Sequence, residues 1–318
     1  MNKPARGPAA ALLAGVFLTG CASIQKMAVN RLGDFLAEGG SVYESDDDPD
    51  LVADALPFGL KLMESLLESS PDHPGLLRAA CKGFTVYTYA YVDAEAERME
   101  ESDLDAARAM RARARRLYLR AWGYGERGLA LAAKRAPAIL ADPRAAVAAM
   151  KEKDVPLLYW SAAALGLAIS DSRGDAEMIA RLPAVEALLD RARALDPDWG
   201  EGALDEFDIV LAGTRPGAPL DEERLRADYE RALRLSEGKR ASLFVGYAEQ
   251  SAVKRQDPAE FRDLLDRALA IDPDAHTSIR LANLVAQRRA RWLLDHVDSL
   301  FLDPDAGAAA AGAKPEKP

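Results

Sequence analysis

The chain has 318 residues, with 41 Lys and Arg against 51 Asp and Glu, a formal charge of −10, and two cysteines. An acidic chain of this kind has no general attraction for nucleic acid or for anionic lipid headgroups. Two cysteines, Cys21 and Cys81, exclude a disulfide-built scaffold.

From the N-terminus, Lys3 and Arg6 form a short basic start and the run from Ala9 to Leu18 is apolar. That is the layout of a secretory signal, too short for a membrane span. It ends in Leu18-Thr19-Gly20-Cys21, which resembles the lipobox of bacterial lipoproteins. The resemblance implies cleavage before Cys21, a diacylglycerol on its thiol and an acylated amine, so that several acyl chains hold the protein to a membrane. Ala22 rather than Asp follows the cysteine, which predicts outer-membrane retention. Residues 1–20 are thus read as signal peptide and 21–50 as a lipid-anchored segment with an acidic linker, Glu44 to Asp50, before the first repeat helix. Cys81, at helical spacing among Leu77, Phe84 and Thr88, reads as a small buried apolar residue.

Between about Met27 and Phe301 the apolar periodicity is helical almost throughout, and no alternating stretch predicts a strand. Proline turns punctuate it, among them Ser70-Pro71-Asp72-His73-Pro74, Asp142-Pro143, Asp196-Pro197 and Asp272-Pro273. Residues 188–197 read LLDRARALDP and 264–273 read LLDRALAIDP, identical at eight of ten positions, and YERALRLSEG at 229–238 keeps the Arg-Ala pair. Arg191, Arg231 and Arg267 stand 40 and then 36 residues apart, and LMESLLESSPDHPG at 62–75 is a weaker copy. This is the period of tetratricopeptide-like helix pairs. The fold class is therefore all-α, a tetratricopeptide-like helical repeat array over 51–302. The tail, 303–318, is Ala, Gly, Pro and Lys and is expected to be disordered.

Gly123-Tyr124-Gly125-Glu126-Arg127-Gly128 spells a dinucleotide-binding pattern. That chemistry needs a strand before the glycines and a helix opening after them. Here helix-forming residues run from Asp105 through Ala132, so Ala121, Gly125, Gly128 and Ala132 fall on one stripe where a neighbouring helix can approach. The stripe reads as a packing seam, with no nucleotide site. The arginines from Arg108 to Arg120 flank an apolar stripe of Met110, Leu117 and Tyr118 as solvated edges of an amphipathic helix.

No catalytic, cofactor or metal constellation is read: His73, His276 and His296 are isolated, and no nucleophile elbow or phosphate loop is present. The remaining chemical signal is aromatic. Phe84, Tyr87 and Tyr91 share a helical face while Tyr89 points elsewhere, and Tyr159-Trp160 opens another apolar helix. These five residues are either repeat core or a ligand or partner face, since tyrosine and tryptophan carry polar handles on apolar bodies.

The lipobox, ALPFGLKLMESLLESSPDHPGLLRAACKGFTVYTYAYV at 55–92, PLLYWSAAALGLAIS at 156–170, LPAVEALLDRARALDPDWGEGAL at 182–204 and RLANLVAQRRARWLLDHVDSLF at 280–301 occur in order. Together they resemble the TatT component of tripartite ATP-independent periplasmic (TRAP) transporters. The chain departs at Arg215-Pro216-Gly217-Ala218, where that family tends to a Gly-Gly pair. The resemblance implies a periplasmic lipoprotein that forms homotrimers, partners a solute-binding receptor, and has a pore or cleft for a small apolar ligand. A repeat scaffold for envelope protein assembly is the alternative, holding proteins on its concave face without a small ligand.

Overall fold

The computed structural model describes residues 30–36, 40–134, 136–172, 174–212 and 220–302. Cys21 and its signal region, the loop around Arg215 and Gly217, and the tail after Leu302 lie outside the described residues. Among the described residues there is no strand. The architecture is carried by α1 (Pro49–Ser69), α2 (Pro74–Tyr87), α3 (Leu104–Ala132), α4 (Val155–Ser170), α5 (Leu182–Leu195), α6 (Ala203–Leu211), α7 (Glu222–Leu235), α8 (Ala241–Tyr247), α9 (Pro258–Leu269) and α10 (Arg280–Asp295). Successive helices pack side by side, which is the helical repeat array expected.

Several Asp-Pro pairs turn out to start helices. Asp48 accepts backbone N–H bonds from Asp50 and Leu51, Asp142 from Ala145, and Asp257 from Glu260, each with proline at the first helical position. The aspartate satisfies orphan donors, and the missing N–H of proline costs nothing there. Asp196-Pro197 instead ends α5.

The repeated arginine has a repeated task. Arg191 donates to the Met150 carbonyl, and Arg231 donates to the Pro197 carbonyl at 3.0 Å and to Asp198 at 2.7 Å. Each reaches back to the turn before the preceding helix and pins it. Arg267, the third copy, lies over the Phe244 ring, 4.6 Å from its centroid.

The α4 helix is apolar on every side and buried from Ser161 to Ile169, so it forms the axis of the first half. Gly125 and Gly128 of α3 face it. A methyl group on Gly128 would lie 3.0 Å from Leu157, and one on Gly125 would meet Ser161 of α4 and Cys81 of α2. Ala121 is fully buried on the same seam, whereas Ala132 is exposed and takes no part. Gly123 to Gly128 lie inside α3, far from any strand-to-helix turn. Burial pushes the Cys81 thiol up to about 12, as an inert packed residue requires.

The apolar interior falls into two clusters. One runs from Leu60 to Phe207, the other from Ile209 to Leu293, and they divide within α6. Entry to α6 requires glycine: Gly202 has φ +94°, and a Cβ there would lie 2.8 Å from the Ala232 Cα. The array then curves back until its ends meet. Arg288 of α10 pairs with Asp50 of α1, and Arg280 donates to the Ser45 carbonyl at 3.3 Å. Upstream of α1, the short helix at 30–36 docks where α1 turns into α2. Ser70 donates to the Asn30 side chain at 2.8 Å, and the His73 ring lies 3.1 Å from the Asn30 carbonyl oxygen.

Candidate functional site: an interior cleft

Near the meeting of the two ends lies Tyr89, a large side chain that the surrounding helices leave half exposed. Its side chain is 49% exposed, yet protein surrounds it closely enough that burial pushes its phenol up, helped by Glu249. Tyr89 owes its direction to a π-helical turn, Thr88–Asp93, that extends α2. Thr85 and Thr88 hydroxyls donate to the carbonyls of Cys81 and Phe84, at 2.7 and 2.6 Å, as the helix widens. A second π turn, Ala248–Ala252, extends α8 and carries Glu249. Such turns recur at functional sites because they re-aim side chains that a regular helix would place elsewhere.

The charges of Glu249, Arg289, Glu206 and Asp93 act on Tyr89, and further ion pairs surround them. Arg289 of α10 donates to Glu249 at 2.5 Å and to Glu97 at 2.7 Å, bridging the two halves. These carboxylates hold its guanidinium above the ordinary range although burial opposes the charge. Burial raises Glu249, with Arg289 opposing. Arg240 donates to Glu206 at 2.7 Å, and that carboxylate raises Arg240. Burial also raises Asp93, which keeps Arg111 at 2.8 Å and the Tyr118 hydroxyl at 3.4 Å.

Tyr159 sits beside this network in an aromatic group. Its ring lies 5.0 Å from Trp160, 4.6 Å from Trp199 and 5.9 Å from Phe207, and burial followed by the Glu206 charge raises its phenol. Of the other aromatic candidates, Phe84 is buried at 4% exposure and stacks on Tyr124 at 5.9 Å. Tyr87 and Tyr91 are half-buried, 6.0 Å apart, with the Tyr91 hydroxyl buried and lacking a partner among the described residues. Trp160 is half-buried beneath the Lys82 ammonium, 5.5 Å from its centroid. The structure therefore joins Tyr87 with Tyr91 and Tyr159 with Trp160, while Phe84 packs inward. Sequence reasoning reads Tyr89 only as lying off the aromatic face and does not single out its neighbours Glu249, Arg289, Glu206 and Arg240.

A separate groove of about 310 Å³ lies between α5, α6 and α7, with Leu189, Leu211 and Leu225 on its walls and Arg193, Asp208, Arg224 and Asp228 at its rim. Among the described residues no group of His, Cys, Asp and Glu could hold a metal ion, and no helix is long and apolar enough to cross a membrane.

The family model described as the TRAP transporter T-component matches residues 45–301. The chain belongs to the T-component family of TRAP transporters. As a T-component it is an accessory of a periplasmic transport system. It is also similar to an uncharacterized protein of Treponema pallidum (strain Nichols), at 30% identity over 274 residues, covering 82% of this chain and 83% of the relative. The matched span of the T-component model includes both π turns, the Arg289 bridge and the seam between α3 and α4.

Proposed function

We propose that the chain is a non-catalytic accessory of a TRAP-type solute uptake system, tethered by lipid on Cys21 to the periplasmic face of the outer membrane. Its body is the helical domain 51–302, joined to the tether by the acidic segment. It acts as a homotrimer that meets the solute-binding receptor and receives a small ligand with an apolar body in the interior cleft. Of the aromatic face, Tyr87, Tyr91, Tyr159 and Trp160 contribute the apolar wall, and Phe84 supports it from the core. What supports this reading, beyond the family, is Tyr89, a half-exposed aromatic set among charged groups of both halves of the array.

The test is calorimetric titration of the soluble mature chain with the receptor of the same transport system, with and without its solute, alongside Tyr89→Ala and Tyr159→Ala. Binding that weakens in both variants while their melting temperatures hold supports the cleft. Unchanged binding in both would sink it. Intact-mass measurement of the membrane-extracted chain tests the tether, and an unmodified chain beginning elsewhere than Cys21 overturns that part. A scaffold reading draws on a different feature, the exposed Val42, Leu51 and Phe58, whose truncation would then weaken protein assembly alone.

A further inference from the structure

The two ends of the array touch near Tyr89, and arginines of α10 make the polar contacts that join them. Arg288 of α10 holds Asp50 of α1 through both guanidinium nitrogens, at 2.7 and 3.1 Å. Arg289 reaches Glu97, Arg280 reaches the Ser45 carbonyl, and the His296 ring lies 3.7 Å from Glu101. By contrast, α6 carries buried residues of both apolar clusters, Leu204 and Phe207 of one and Ile209 of the other. The halves are thus continuous through α6 and joined at their free ends by charge.

This asymmetry matters because the two kinds of contact differ in strength. A helix buried in apolar surface on both sides, as α6 is, cannot leave either cluster without exposing that surface to water. Ion pairs with half-exposed partners gain little over hydration and are released readily. Asp50 is 75% exposed and Arg288 39%, so water can take over both charges when they part. The inner bridge is more buried, but its release leaves Arg289 with a partner. Arg289 belongs to the second half and binds Glu249 of that half as well as Glu97 of the first. On separation Arg289 keeps Glu249, so its charge stays compensated, and only Glu97, already 30% exposed, turns to water.

We infer that α10 is an ionic latch: the cleft opens by parting Arg288 from Asp50 and Arg289 from Glu97, with α6 as the hinge and Glu249 holding Arg289 in the open state. The inference rests on the cleft being the working site, but the motion is testable with no ligand at all. Hydrogen–deuterium exchange of the mature chain reads the backbone of the π turns 88–93 and 248–252 directly, with α4 as an internal reference. Arg288→Glu and Glu97→Gln should each raise exchange at both π turns several-fold and leave α4 protected. The charge-swapped pair Asp50→Arg with Arg288→Asp should return exchange to the parent level, which a merely unfolded variant could not do. Exchange that is equal in parent and single variants overturns the latch, as does a rise in α4 matching that at the π turns. If the latch behaves as described and the receptor and its solute still ignore the cleft, the functional reading fails and the motion stands.

Discussion

Gly125 of α3 stands where a methyl group would lie 2.5 Å from the Ser161 hydroxyl oxygen of α4 and 3.1 Å from the Cys81 sulfur of α2. Three helices converge there at backbone distance. Gly125→Leu should push them apart and cost about 1–3 kcal/mol, the usual range for overpacking. Chemical denaturation with an unchanged slope would register this as a lowered midpoint. Gly123→Ala is the control, since a Cβ at that position meets nothing within 4 Å.

Phe84 and Tyr89 are five residues apart and should respond in opposite ways. Phe84→Ala removes a buried ring stacked on Tyr124 and should cost about 3–5 kcal/mol. Tyr89→Ala removes a half-exposed ring from the cleft and should leave the melting temperature close to that of the parent. Thermal melts of the two variants decide this. Equal losses would mean that the interior is packed in solution.

Arg231 compensates a carboxylate that has almost no access to water. Asp205 is 2% exposed and pairs with Arg231, with Arg193 farther away at 3.8 Å. Arg231→Ala should therefore cost about 3 kcal/mol, because it leaves a buried charge poorly paired. Asp205→Asn in the same chain should recover part of that loss, and a double-mutant cycle from urea unfolding measures the coupling. A recovery of zero would place the effect in the bonds from Arg231 to Pro197 and Asp198.

Asp228, at the rim of the groove between α5 and α7, is pushed up to about 6 by burial and then by the charges of Asp208 and Asp205. Its unfolded value is about 3.9, so between about pH 4 and pH 6 the folded chain keeps a proton that the unfolded chain has released. Stability then falls as pH rises through that window, and the full penalty stands above about pH 6. Asp228→Asn should be more stable than the parent at pH 7, by on the order of 2 kcal/mol, with the advantage vanishing near pH 4. Unfolding curves at both pH values test the sign.

How far the fold could be read from residues alone is clearest in α5, α7 and α9. Arg191, Arg231 and Arg267 announced their equivalence through flanking Leu, Ala and Asp, and all three lie on repeat helices. The glycine seam was legible too, because a three-residue spacing on a strongly helical run leaves few other uses for Gly125 and Gly128. The cleft was not. Tyr89 is aimed by a π turn, and a local change of helical pitch leaves no mark in a periodicity counted at 3.6 residues per turn. Arg289, Glu97 and Glu249 look like ordinary surface charges until residues 192 and 40 positions apart are brought together. Long-range charge pairing carries no local signature.

Docking of Asn30 onto Ser70 and His73 sets a leash length. Nine residues lead from Cys21 to Asn30, and a fully extended chain spans at most about 3.6 Å per residue, so the leash reaches about 30 Å. With lipid on Cys21, the turn between α1 and α2 cannot stray beyond that from the bilayer surface. The helical body would be confined to a thin shell, where its encounters with membrane-held partners are governed by an effective concentration on the millimolar scale. Weak contact with such a partner is then enough for frequent engagement, and lengthening the segment before Asn30 would dilute it without altering a single interface residue.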